Sequence, residues 1–110
     1  MPLSSRARIE AYLPVENSGR YRRLRAAIET EFLNTFGGCT VIRGAKGLYL
    51  SDAASLMTDD IDLVYADTPF NSDAENSILS SYTDSLRQAL LAATSEESIL
   101  IVVQEIFHSN

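Results

Sequence analysis

Cys39-Thr40-Val41-Ile42-Arg43-Gly44-Ala45-Lys46-Gly47-Leu48-Tyr49-Leu50, followed after a connection by Ile61-Asp62-Leu63-Val64-Tyr65-Ala66, is the stretch on which the fold turns. Both segments are rich in β-branched and aromatic residues. The second alternates, with Ile61, Leu63 and Tyr65 on one face, which is the period of a strand. Gly44-Ala45-Lys46-Gly47 divides the first segment. It reads either as a small hairpin or as one long strand bent at a glycine bulge. In both readings Ser51 to Asp60 is only a connection. Two strand segments therefore follow one another in mid-chain with no helix between them, which a simple strand-helix alternation does not allow.

Working towards the N-terminus, Gly37 and Gly38 stop a helix, one of them in a left-handed cap. The helix covers 19 to 36, where Tyr21, Leu24, Ile28, Phe32 and Phe36 recur at three- and four-residue steps and form one stripe. Asn17 or Ser18 suits its N-cap. Before it, 8 to 15 alternates with Ile9, Ala11, Leu13 and Val15 on one face, and Pro14 frays that strand. Working towards the C-terminus, Pro69, Asn71, Ser72 and Asp73 make a stop and a new start. A helix from about 73 to 93 carries Leu79, Tyr82, Leu86, Leu90 and Ala93 on its stripe. Thr94 to Glu97 breaks it, and Ser98 to His108 is a last strand of isoleucine and valine. The order βαββαβ is the split βαβ arrangement of ferredoxin-like folds. Right-handed crossovers then put both helices on one face of an antiparallel sheet of order 4-1-3-2, an α+β architecture.

The 110 residues allow one domain, 1–110, with 1–7 expected as a flexible N-terminal segment. Cys39 is the single cysteine, so neither an internal disulfide nor a cysteine-based zinc site is expected. No apolar run is longer than that of Ile99 to Val103, which falls far short of the ~20 residues of a membrane span. Met1 to Arg8 has no apolar core of the kind a signal peptide carries, so the cytoplasm is the expected location. A net charge of −6 argues against nucleic acid as partner. The charge is uneven. Residues 1 to 55 hold every basic group except Arg87, whereas 56 to 110 are strongly acidic.

The last strand is apolar on both faces. Ile99, Ile101, Val103 and Phe107 lie on one, Leu100, Val102 and Ile106 on the other. Val64 and Ala66, with Ile42, are expected to join the second set on the sheet face away from the helices. At about 25 cal/mol per Å², such a patch favours a cover by several kcal/mol. A homodimer is the expected answer, with Leu100, Val102, Ile106 and Val64 at its interface. The bland alternative is that residues 1 to 7 or the 51–60 loop fold beneath the sheet.

Several clusters could carry chemistry. Arg20, Arg22, Arg23 and Arg25 occupy the first two turns of the first helix, where the dipole disfavours positive charge. They are candidates for binding a small anionic ligand or an acidic protein partner, weighed against a solvated face paired with nearby acids. Asp60 and Asp62 share a strand face near Asp59, so a divalent metal or an acid pair is conceivable, although strand-start acids commonly face water. Cys39 after a helix end is expected to be unreactive, and His108 near the chain end is a poor base for it. The 44–47 loop lacks the spacing of a nucleotide-binding loop and reads as a turn. Pro2 could expose an N-terminal secondary amine, as in tautomerases, but five residues separate it from the strand. No catalytic residue, metal or cofactor is assigned.

Gly37-Gly38-Cys39-Thr40-Val41, Gly47, Tyr49, Asp60 and Glu97-Ser98-Ile99-Leu100 resemble an uncharacterised family of small bacterial ferredoxin-like, dimeric α+β proteins. The resemblance covers 8 to 107 and implies the fold and dimeric build, with no activity to carry over. The expected function is thus a small cytoplasmic homodimer that binds a ligand or partner without catalysis. The alternative is a cofactor-independent enzyme of the dimeric α/β-barrel type, monooxygenase- or tautomerase-like, with a pocket between sheet and helices lined by Tyr12, Tyr49, Tyr65 and Tyr82.

Overall fold

The computed structural model describes residues 4–15, 19–93 and 100–108. Its elements are β1 (Ser4–Pro14), α1 (Gly19–Phe36), β2 (Thr40–Leu50), β3 (Leu56–Asp67), α2 (Asn76–Ala93) and β4 (Leu100–His108). The strands form one antiparallel sheet in the order β2-β3-β1-β4, which is the expected 4-1-3-2 read from the other edge. The fold is thus the α+β, ferredoxin-like one. No helix among the described residues is long and apolar enough to cross a membrane.

The helices form where their stripes can be buried together. Tyr21, Leu24, Ile28 and Phe32 of α1 and Leu79, Leu86 and Leu90 of α2 all enter the core. Beneath them the sheet contributes Ala7, Ile9, Ala11 and Leu13 from β1 and Val64 and Ala66 from β3. Helix α1 ends where Gly37 turns to a φ of +83°, as a left-handed cap requires, and its amide donates to Leu33 O at 3.0 Å. The start of α2 is prepared by Asn71. Its side-chain oxygen accepts from the amides of Asp73 and Ala74, while Glu75 Oε1 accepts from the Asn71 amide in return. The expected cap at Asn17 or Ser18 lies outside the described residues.

Three expectations are corrected. First, β1 begins at Ser4, which faces His108 of β4. Residues 4 to 7 are therefore paired strand, and Ala7 is fully buried. Residues 1–3 lie outside the described part. Second, β3 begins at Leu56, not Ile61, so half of the 51–60 connection is strand. The turn is short and closed by the Ser51 amide donating to Ser55 O at 2.9 Å. Third, Val64 and Ala66 face the helices, and Ile61, Leu63 and Tyr65 face away. Val64 is 0% exposed and belongs to the core, not to a surface contact. The reason is volume. The helices bring the bulky side chains, so the sheet beneath them carries small and branched ones (Ala7, Ala11, Val64, Ala66) that let them approach.

The open choice for 39–50 resolves as one bent strand. Register passes from Ile42 opposite Leu63 to Ala45 opposite Ile61, so β2 carries one extra residue there. Gly44 occupies the bulge at a φ of +75°. Beyond it β2 and β3 continue as a two-stranded arm. The molecule is consequently elongated, 48 × 28 × 24 Å, with a radius of gyration of 15.3 Å where a compact chain of this length has about 13 Å.

Candidate functional site

At the root of the arm, the beginning of α1 overhangs the bulge of β2. The cleft between them has a volume of about 680 Å³ and is lined by Val15, by Arg22 and Arg25 of α1, by Arg43, Gly44 and Lys46 of β2, and by Asp60 and Asp62 of β3. Two clusters that are far apart in the sequence meet here, the arginines and the aspartates.

Asp62 is the keystone. It is only 6% exposed, and its two oxygens accept from different elements. Oδ2 accepts from Arg25 Nη1 at 2.6 Å and Oδ1 from the Gly44 amide at 3.1 Å. Burying a carboxylate is costly without such partners. Arg25 also lies 3.5 Å from Glu29, one turn along α1. Asp60, two residues before Asp62 and on the same face, is paired with Lys46 across the ladder. Arg22 and Arg43 are exposed and form no ion pair among the described residues. Arg23 is exposed and does not line the cleft, and Asp59 alternates to the opposite strand face. Arg20 lies on α1, with its side chain outside the described part.

Arg43 and Lys46 are the residues sequence reasoning missed. In the sequence they read as parts of a strand and a turn. Their one-dimensional signal is the basic excess of the first half, which does not say where the charges converge.

The second surface is the sheet face away from the helices. Along it stand Arg8 with Asp67, Glu10 with Tyr65, and Tyr12 with Leu63, continued by Gln104, Val102 and Leu100 of β4. Arg8 Nε donates to Asp67 at 2.6 Å, and the guanidinium lies 4.2 Å from the centre of the Tyr65 ring. Hydrogen bonding to Asp67, opposed by burial, raises the Arg8 pKa further. Glu10 is buried on this face and accepts from Gln104. Between these polar pairs Leu63, Val102 and Ile106 are half-buried, while Ile42 and Leu100 are exposed, Leu100 at 58%. Of the expected contact residues, Leu100, Val102 and Ile106 do share this face, and Val64 does not.

Of the tyrosines named for an enzyme pocket, Tyr12 and Tyr65 do not converge with Tyr82. Tyr12 and Tyr65 stand on the open face. Tyr82 stands on the other side of the sheet, its hydroxyl donating to Glu31 Oε1 at 3.0 Å and its ring 5.3 Å from Phe36. Burial first, and then Glu31, push the Tyr82 phenol well above its ordinary value. The side chain of Tyr49 and the whole of Pro2 lie outside the described part. Cys39 precedes β2 and His108 ends β4, so they sit at opposite edges of the sheet. Burial, and then Glu29, push the Cys39 thiol up, which disfavours the thiolate.

No family model and no curated protein matches this sequence. Solved structures do match its fold. A CutA1 from Oryza sativa superposes with a TM-score of 0.60 at 18% identity, over 98% of this chain and 85% of that one. A divalent cation tolerance protein, also CutA1, from Thermus thermophilus gives 0.59 at 16% identity, over 97% and 88%. At these identities the likeness is one of fold. It supports the ferredoxin-like fold that the resemblance implies, and the structures sharing this fold include named proteins, one of them from a plant.

Proposed function

We propose that this protein is a non-catalytic binding protein built from several identical copies. The observation that carries the reading is the uncovered apolar surface. On the open sheet face Ile42 and Leu100 are exposed beside Val102 and Ile106, and on the arm Leu48, Leu50 and Leu56 are about two-thirds exposed at 67%, 68% and 66%. Side chains of this size, gathered on one molecule, favour a cover. A second copy supplies one without a further partner. A homodimer is the smallest such assembly. The two outer strands, β2 and β4, are unlike, so a closed ring joined edge to edge is the larger alternative. The catalytic reading lacks support among the described residues, since Tyr82 does not meet Tyr12 and Tyr65, nor Cys39 His108.

The similar structures bear on metals through the name of one of them, divalent cation tolerance. The cleft does not fit a bound divalent cation. Its two carboxylates are each engaged by a basic group, and four basic side chains surround them. Among the described residues no three His, Cys, Asp or Glu side chains are grouped to hold a metal. No metal is assigned to the cleft.

Sedimentation equilibrium at micromolar concentration tests the proposal. The wild type is expected at a whole multiple, two or more, of 12.1 kDa. Val102→Asp, which puts a charge into the open face, is expected to shift it towards 12.1 kDa with its circular dichroism intact. A folded wild-type monomer at every concentration would overturn the reading.

A further inference from the structure

The chain as a whole carries a net charge of −6, yet the cleft under α1 runs the other way. Four basic side chains face two carboxylates there, a formal excess of two positive charges. The two carboxylates are already committed, Asp62 to Arg25 and Asp60 to Lys46. Among the described residues, what remains uncompensated is Arg22 and Arg43. They come from separate elements, the first turn of α1 and the bulge of β2.

Holding them together has a cost that the fold does not otherwise need. Arg22 stands in a helix turn without an acidic residue, where the helix dipole disfavours a cation. Arg43 sits beside a residue with positive φ, in a bulge that interrupts the ladder. The cross-links beneath are rigid. Asp62 ties Arg25 of α1 to the Gly44 amide of β2, so the platforms bearing Arg22 and Arg43 cannot easily drift apart. Asp62 thus fixes the two backbones that carry Arg22 and Arg43, both side chains line one cleft, and each planar guanidinium fork can chelate two oxygens of an oxyanion.

We infer that this cleft binds a small phosphate-bearing molecule, with Arg22 and Arg43 as its principal donors. The formal excess matches a phosphate group, which carries about −1.5 to −2 at neutral pH, better than a single carboxylate. The volume of about 680 Å³ lies within the roughly 300–1,000 Å³ of small-molecule sites. It leaves room for an organic body beside the phosphate, against the apolar side chain of Val15. This assignment does not rest on self-association, which sedimentation reads separately.

Titration calorimetry on the full chain tests it, with inorganic phosphate, pyrophosphate and citrate as probes and sodium chloride holding ionic strength constant. Phosphate and pyrophosphate are expected to bind saturably, pyrophosphate more tightly. Arg22→Gln and Arg43→Gln should each weaken binding by about tenfold or more, the loss of one charge-assisted contact. Arg23→Gln is the control, since Arg23 is exposed on the same helix turn but outside the cleft, and it should leave the affinity unchanged. All three substituted side chains are exposed and without ion pairs among the described residues, so circular dichroism should match the wild type. Absence of saturable binding by the wild type would overturn the inference. Equal losses for all three variants would also overturn it, because they mark a diffuse field. Citrate binding as tightly as pyrophosphate would overturn the phosphate assignment in favour of a polycarboxylate.

Discussion

Strand β3 passes through two environments. From Ile61 to Ala66 it lies under α1, with Asp62, Val64 and Ala66 buried and the residues between them half-covered. From Leu56 to Asp60 it is exposed on both faces and paired along its length with β2, the Val15 amide donating to Asp60 O at 3.0 Å at its inner end. The hydrogen-bond ladder to β2 runs through both halves, so backbone pairing alone does not decide burial. The difference lies in what stands above. Over the inner half the helices supply Phe32 and Ile28, and over the outer half nothing among the described residues does. An apolar residue therefore means different things in the two halves. Inside it stabilises the fold of one chain, and on the arm it can stabilise only an assembly.

Substitutions can break or sharpen that contrast. The largest effect is expected at Phe32, one of the largest fully buried side chains. Phe32→Ala should lower the unfolding free energy by about 3–5 kcal/mol in urea titrations. Next, Leu48→Ser with Leu50→Ser on the arm should change the stability of dilute protein by no more than about 0.5 kcal/mol per site. The same variant should lower the sedimentation mass at high concentration. A loss on the scale of Phe32→Ala in dilute protein would erase the distinction between the two regions. The smallest effect marks the border of the core, at Tyr82. Its phenol is raised in the folded state by burial and by Glu31, so its neutral form is the one the fold favours. That contribution is complete below the ordinary phenol pKa of about 10 and is lost as pH rises above it. Urea midpoints of the wild type should fall more steeply than those of Tyr82→Phe above about pH 10. Parallel profiles would place Tyr82 outside the core.

The inner region is legible in the sequence and the outer is not, for the same reason. Helix α1 is bounded from Gly19 to Phe36 because five bulky residues recur at its period and a glycine pair ends it. The element order and the sheet order follow. Leu56 to Asp60 does not read as strand because neither face is covered, so no alternation is imposed on it. Ser4 to Ala7 does not read as strand because its cover is β4, almost the whole chain away. The parity of β3 inverts for a different reason. Size suggests that Ile61, Leu63 and Tyr65 point inward, whereas the helices already fill that space. In the cleft, the arginines of α1 and the aspartates of β3 each attract notice alone. Their union through Arg25 and Asp62, 37 positions apart, is a property of the folded chain.

The bulge between Ile42 and Ala45 sets the phase of everything downstream of it on β2. Side chains on a strand alternate with a period of two, and a bulge absorbs one residue without a step of that alternation. With it, Lys46 stands opposite Asp60 on the cleft side, in step with Asp62. Were the same residues paired in a regular ladder, counting on from Ile42 opposite Leu63, Ala45 would oppose Asp60 and Lys46 would swing to the far side of the sheet. Leu48 and Leu50 would change sides together with it. The chemistry of the cleft and the side of the arm that bears its leucines are thus set by one and the same bulge. Straightening the bulge with all its residues kept would therefore move both together, whereas deleting one residue of 43–45 would leave both where they are.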